Sequence, residues 1–192
     1  MAVEMLVLVL MCGKSTLLPY LLDRGIIKID YIVVSHLDID HVQGLLYVME
    51  KIEVKNVIIG KQFEICENYE KFISIVKEKK IKIYVVKTGQ KFNIEQDLYF
   101  NILWPDSKNK ISSNVLNNNS LVCKLVYKDF SMMFTGDIEE EAEKAILEKY
   151  KNTNILKSTI LKVAHHGSKS SSTKEFVQEL EPKIAIIRSW EK

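Results

Sequence analysis

Residues 5–12 (MLVLVLMC) form an unbroken apolar run, and its length suits either a signal peptide or a buried strand. Glu4 precedes the run and no Lys or Arg does, so the positive leading segment of a signal peptide is missing and a buried first strand is expected. Leu17, Leu18, Leu21 and Leu22 then recur at helical spacing between Ser15, the expected N-cap, and Gly25, where the run stops. Residues 29–35 (IDYIVVS) are rich in β-branched types and read as a strand, residues 42–51 return to helical spacing, and the polar HLDIDH segment joins the two. Strand at 54–59, amphipathic helix at 64–79 and strand at 81–86 continue an alternation that predicts α/β layers with an at least partly parallel sheet.

From Leu98 the texture changes. Strands are expected at 98–103, 121–127 and 130–134, the last two joined as a hairpin at Lys128-Asp129. The polar, Asn-rich stretch 108–119 is expected to be a surface loop. An acidic helix at 138–150, a strand at 160–164, a helix at 172–180 and a strand at 183–187 complete the pattern. Ser172-Thr173-Lys174-Glu175 has the form of a capping box and marks the start of that helix.

Hydrophobic types at 47% and charged types at 27% suit a globular chain, and a single domain over residues 1–192 is expected. Lys+Arg of 27 against Asp+Glu of 25 leaves +2, too small a charge to indicate a nucleic-acid or membrane-surface partner. No apolar run approaches the roughly 20 residues that a membrane helix needs, so a soluble chain without a membrane segment is expected. Cys12, Cys66 and Cys123 are odd in number and show no CxxC spacing, which indicates neither a disulfide framework nor a Cys-based zinc site and fits a reducing compartment. Gly13-Lys14-Ser15-Thr16 resembles the end of a P-loop. Leu8 stands where that loop needs its first glycine, so a nucleotide triphosphate site is not expected.

The four histidines fall in two places, His36 and His41 in HLDIDH and His165 and His166 in AHHGS, each after a predicted strand. An extended backbone projects alternate side chains to one side, so His36, Asp38 and Asp40 are expected to converge while His41 opens the next helix. Asp137 of FTGD follows a third strand and is also placed to cap the acidic helix. So many carboxylates beside imidazoles would repel one another without a cation, which points to a metal site.

HLDIDH, FTGD and LKVAHHGS, with SHLDIDHVQGL, NNNSLV, MMFTGDIEEEAE and LKVAHHGSKSSS in that order, resemble the metallo-β-lactamase superfamily, in particular the soluble domain of ComEC-type DNA-uptake proteins. The resemblance extends from about Gly13 to Ile187 and implies an αββα sandwich with one or two divalent metal ions at one edge of the sheets. By position it assigns His36 and Asp38 to one metal, Asp40 and His41 to the other, a bridging place to Asp137, and the remaining ligand to His165 or His166. Asp38 stands where many hydrolases of the superfamily have His, and Asn119-Ser120 where they supply another. This harder donor set favours manganese, or magnesium, over zinc. Met1–Cys12 replaces the family's usual opening strand pair and the sequence ends at Lys192 before its usual last segment, so a domain shortened at both termini is expected.

A metal-bound water that loses its proton near neutral pH would be the nucleophile, with Asp40 orienting it. Ser168 and Lys169, on the loop leading to the helix start at Ser172, are expected to bind a phosphate together with backbone N–H groups and the positive helix end, and Asn119 and Ser120 to reach the substrate as well. The Lys-rich stretch 77–82 and Lys162, Lys169 and Lys174 could offer electrostatic contacts to a nucleic-acid backbone, although Lys is spread over the whole chain and usually marks solvated surface. The expected function is a phosphodiesterase or nuclease on DNA. A small phosphate-ester or acyl hydrolase and a non-catalytic DNA-binding remnant are the alternatives. In the resembling family the domain is tethered to a membrane channel, so its location is either the cytoplasm or the cell surface through such a partner.

Overall fold

A strand buried on both faces needs apolar side chains at consecutive positions, and the run Ile32-Val33-Val34, all buried, supplies them at the end of β2 (Lys28–Val34). The computed structural model describes residues 5–7 and 13–188, so residues 8–12 of the apolar run, Cys12 included, lie outside the described residues. The chain divides into two compact units, Met1–Val85 and Val86–Lys192.

In the first unit β1 (Met5–Val7), β2, β3 (Glu53–Gly60) and β4 (Lys82–Val86) form a sheet in that order, with β1–β2 and β2–β3 parallel. Parallel neighbours require crossovers, and helices supply them: α1 (Leu18–Asp23), α2 (Ile39–Lys51) and α3 (Glu67–Glu78) alternate with the strands as expected. Leu45, Val48 and Met49 of α2 and Phe72, Ile75 and Val76 of α3 recur every three or four residues and pack with Ile29, Ile32 and Val57 into one core.

Two helix starts differ from expectation. Residues 13–17 wind as a π-helical turn and α1 begins only at Leu18, without a side-chain cap, so Ser15 is not its N-cap. Pro19, which has no N–H to leave unsatisfied, occupies the first turn. α2 begins at Ile39, three residues earlier than expected, because Asp38 Oδ1 accepts the Ile39 N–H at 2.7 Å. Asp40 therefore lies on a helix, and the extended alternation expected of His36, Asp38 and Asp40 ends at Asp38.

The second unit is a six-stranded sheet in the order β10-β9-β8-β7-β6-β5, from β5 (Lys91–Glu95), β6 (Leu98–Trp104), β7 (Val122–Tyr127), β8 (Phe130–Phe134), β9 (Ile160–Lys162) and β10 (Ile184–Ile186). β5 to β8 are antiparallel and β8, β9 and β10 parallel. The β7–β8 hairpin turns at Lys128-Asp129 as expected, with Lys128 at φ 51°. The edge strand β5 was not expected, since Lys91 and Glu95 at its ends mask the alternation of Phe92 and Ile94.

The 108–119 stretch is not simply a surface loop. It holds a short helix, α4 (Val115–Asn118), and Asn117, Asn118, Asn119 and Ser120 are buried. For two of them the side-chain amide takes the place of a missing backbone partner: Asn119 Nδ2 donates to Ile111 O and Val115 O and its Oδ1 accepts from Ile111 N, while Asn118 Nδ2 donates to Ser113 O and its Oδ1 accepts from Glu139 N. α5 (Glu140–Tyr150) presents Ala142, Ile146 and Tyr150 to a core shared with Leu161, Phe176 and Leu180. α6 (Lys174–Leu180) is capped by Thr173, whose Oγ1 accepts the Phe176 N–H at 3.4 Å. The cap expected at Ser172 is displaced because Ser172 is left-handed, at φ 59°. No helix among the described residues is long and apolar enough to cross a membrane.

Candidate metal centre

The joint between β2 and α2 carries the first histidine pair. His36, 2% exposed, follows the strand by two residues, and His41, 7% exposed, stands in the first turn of the helix. Their ring centroids are 4.1 Å apart at 51°. His36 Nδ1 lies 3.0 Å from Ser35 Oγ; when Nδ1 donates that proton, the tautomer is fixed with the lone pair on Nε2. Asn68 Nδ2 donates to Leu37 O at 3.3 Å and ties the joint to α3. Asp38, at the mouth of α2, uses Oδ1 on its own helix start. Asp40 stands one residue before His41 on the same helix.

The second unit brings Asp137, His165 and His166 together. Asp137, 3% exposed, sits in the turn between β8 and α5, and its N–H donates to Ser120 Oγ at 3.4 Å. His166 Nε2 is 3.3 Å from Asp137 Oδ2, whereas His165 Nδ1 is 3.5 Å from Glu139 Oε1. The His165 N–H donates to Gly136 O, and Thr135 Oγ1 donates to Lys162 O at 2.6 Å, so the loops after β8 and β9 are tied at their bases. His165 (φ 45°, ψ 47°) and His166 (φ 55°, ψ 22°) are both left-handed. That conformation costs about 1–3 kcal/mol per non-glycine residue and persists where surrounding contacts hold it.

Lys162 is buried beside this cluster, with Nζ donating to Val163 O at 2.6 Å. Burial pushes its ammonium below the usual lysine range, the Asp137 carboxylate works against that shift, and Arg188 adds to it. The electrostatic nucleic-acid contact expected of Lys162 is corrected accordingly, because its charge faces the interior.

At the helix start expected to help bind a phosphate, a protein carboxylate is already present. The N–H groups of Ser172 and Thr173 donate to the two carboxylate oxygens of Glu143, at 2.5 and 2.8 Å, so an anion already occupies the helix start. Ser168 Oγ pairs with Ser170 Oγ at 3.0 Å, and Lys169 is exposed on the same loop. Asn119 and Ser120, expected at the substrate, are 4% and 0% exposed, and the partners of their polar groups are internal.

Buried imidazole and carboxylate donors suit a divalent cation: imidazole favours zinc and iron, carboxylate favours manganese and magnesium. Ligand atoms about 2.0–2.2 Å from one ion lie roughly 3–3.5 Å apart, and the His166–Asp137 separation of 3.3 Å is of that size. The donors therefore fit a metal. Sequence reasoning missed Glu143 and Glu139. The signal for Glu143 was a charge on the apolar stripe that also carries Ala142, Ile146 and Tyr150.

The chain is 35% identical over 175 residues to ComE operon protein 3 of Bacillus subtilis (strain 168), an alignment covering 91% of this chain and 22% of that protein. It is 26% identical over 182 residues to competence protein ComA of Neisseria gonorrhoeae, covering 92% of this chain and 22% of the relative. The chain thus spans about a fifth of the length of these curated relatives. Among solved structures, the metallo-beta-lactamase fold protein YhfI from Bacillus subtilis superimposes with a TM-score of 0.53 at 11% identity, over 94% of this chain and 74% of that one. At that identity the likeness shows the α/β fold alone. The family model described as the metallo-beta-lactamase superfamily matches residues 4–106, more than half of the sequence. With the HLDIDH joint inside that match and the fold shared beyond it, the chain belongs to the metallo-beta-lactamase superfamily.

Proposed function

We propose that the chain is a metal-dependent phosphodiesterase that acts on DNA, with His36, Asp38, Asp40, His41, Asp137 and a histidine of the HHGS pair as ligands of one or two divalent ions. The observation that carries this reading is a buried carboxylate, Asp137, set 3.3 Å from His166 Nε2 at the FTGD and HHGS segments. The similarity to a competence protein over 92% of the chain favours DNA over other phosphodiesters. Bound there, the cation supplies a Lewis acid that lowers the pKa of a water and stabilises charge growing on a phosphoryl oxygen.

The chain's own residues divide the remaining work. His166 is the member of the HHGS pair assigned as ligand, because it faces Asp137 while His165 faces Glu139. Asp38 would have Oδ2 to offer the ion, since Oδ1 holds the Ile39 N–H. Asp40 orients the attacking water, a role assigned from its place in HLDIDH. Ser120 holds the Asp137 backbone, and Ser168 and Lys169, on the exposed loop beyond the histidines, contact the phosphate backbone of the substrate. The two carboxylates of HLDIDH make manganese the preferred ion, with zinc and magnesium as competitors.

The test is cleavage of single- and double-stranded DNA, and of a small phosphodiester, by this chain and by Asp40→Ala with added Mn2+. Mn2+-dependent cleavage of long DNA that falls about 100-fold or more in Asp40→Ala is expected, the size of the loss when a nucleophile is no longer oriented. Cleavage of the small ester alone would replace DNA with a small substrate, and cleavage of neither would refute the enzymatic reading.

A further inference from the structure

We infer that Glu143 is a positioning residue that locks the 165–173 loop onto α5 and thereby sets His166 against Asp137 and His165 against Glu139. The inference rests on the metal reading above and deepens it. Glu143 is 0% exposed, and its side chain spans from α5 to the far end of the loop, where Oε1 accepts the Ser172 N–H at 2.5 Å and Oε2 the Thr173 N–H at 2.8 Å. Three more bonds run between the same two segments. Ser171 Oγ donates to Ile138 O at 2.8 Å, Glu140 N to Ser170 O at 2.9 Å, and Ser170 Oγ to Glu139 Oε1 at 3.1 Å.

Two features show why a carboxylate stands there. The first is its surroundings: Glu143 shares the inner face of α5 with Ala142, Ile146 and Tyr150, where a leucine would fill the same space without the desolvation of a charge. A buried carboxylate is tolerated there only with charge-assisted partners, and two backbone N–H groups supply them. The second is strain. His165, His166 and Ser172 are all left-handed, a state that contacts outside the loop must hold. The fixed end at Ser172-Thr173 and the His165 N–H bond to Gly136 O pin both sides of the segment carrying the imidazoles. Asp137 lies in the turn that leads into α5, so one continuous stretch of chain carries both the carboxylate ligand and the clamp on the loop of its partner His166.

The experiment compares Mn2+ binding, by calorimetry and by the electron paramagnetic resonance of the bound ion, in the full chain and in Glu143→Gln, Ser171→Ala and Ile146→Val. Imidazole 15N signals of the metal-free proteins are read alongside. Glu143→Gln keeps the shape and one acceptor, and the Mn2+ Kd is expected to weaken about tenfold or more, as for other groups that orient metal ligands. Ser171→Ala removes a milder bond of the same latch and is expected to act in the same direction with a smaller shift. It also decides the question by itself should Glu143→Gln fail to fold. Ile146→Val, on the same buried face without a polar contact, should lower the melting temperature and leave Kd and the histidine signals unchanged. The inference is overturned if the Glu143 and Ser171 variants lose stability but keep the wild-type Kd and unmoved His165 and His166 signals, the result that a purely structural role gives. A wild-type chain that binds neither Mn2+ nor Zn2+ overturns the metal reading itself and this inference with it.

Discussion

Asn119→Ala separates an internal role from a substrate contact. The side chain is 4% exposed and makes three bonds, Nδ2 to Ile111 O at 2.9 Å, Nδ2 to Val115 O at 2.8 Å, and Oδ1 from Ile111 N at 3.1 Å. Truncation leaves the N–H and C=O of Ile111 without these partners. At about 1 kcal/mol net for each bond, the loss is about 3 kcal/mol. For a chain of this size each kcal/mol moves the melting temperature by about 2–4 °C, so a fall of about 6–12 °C is expected. Circular dichroism melts and urea titrations measure it, and the urea midpoint should fall with its slope unchanged, because the surface exposed on unfolding is the same. Asn119→Asp should be no better, since a carboxylate oxygen would then face two carbonyl oxygens. A melting temperature within about 1 °C of wild type would refute the reasoning, and DNA cleavage lost at unchanged stability would return Asn119 to the substrate.

Asp106 is held below the ordinary carboxylate range first by the Lys149 ammonium at 2.8 Å and then by the Lys108 N–H at 2.9 Å. A carboxyl whose folded pKa is depressed contributes stability above its unfolded value of about 4 and loses it as pH falls through the folded value. Asp106→Asn should therefore be less stable by about 1–2 kcal/mol at pH 7 in urea unfolding, and the gap should begin to narrow at about pH 4 and shrink further as pH falls; a gap that does not shrink with falling pH would contradict the pairing. Burial pushes the Cys123 thiol up to about 12, while Cys66 is only half-buried. Native protein treated with a thiol reagent should be modified at Cys66 and not at Cys123 in peptide mass spectra, and equal modification of both would show that β7 opens readily.

The first unit was largely legible because its helices and parallel strands carry uniform hydrophobic periods. Residues 29–34 and the 3.6-residue repeat of α3 announce themselves without tertiary help. Features set by a single side chain in its surroundings were not. Asp38 moved the start of α2, left-handed Ser172 moved the start of α6, and the buried amides of Asn117–Asn119 turned a polar loop into interior. Polarity in sequence reports which groups need partners, and it does not say whether water or the protein supplies them. The candidate ligands were legible as motifs, because HLDIDH, FTGD and HHGS crowd charges and imidazoles at strand ends. The clamp behind them was not, because Glu143 lies 29 residues from Ser172 in sequence and its role exists only once α5 and the loop meet.

The central claim is tested most directly by the metal content of the folded chain. Wild type, His36→Ala, His41→Ala and Asp137→Ala would be exposed to Mn2+ or Zn2+, dialysed, checked for folding by melting, and analysed by mass spectrometry of the metal. The account predicts one or two ions for each wild-type chain and loss of metal from folded variants, both those of the HLDIDH pair and that of Asp137. A folded wild-type chain carrying no more metal than the dialysis buffer, or variants that retain the full wild-type content, would contradict it.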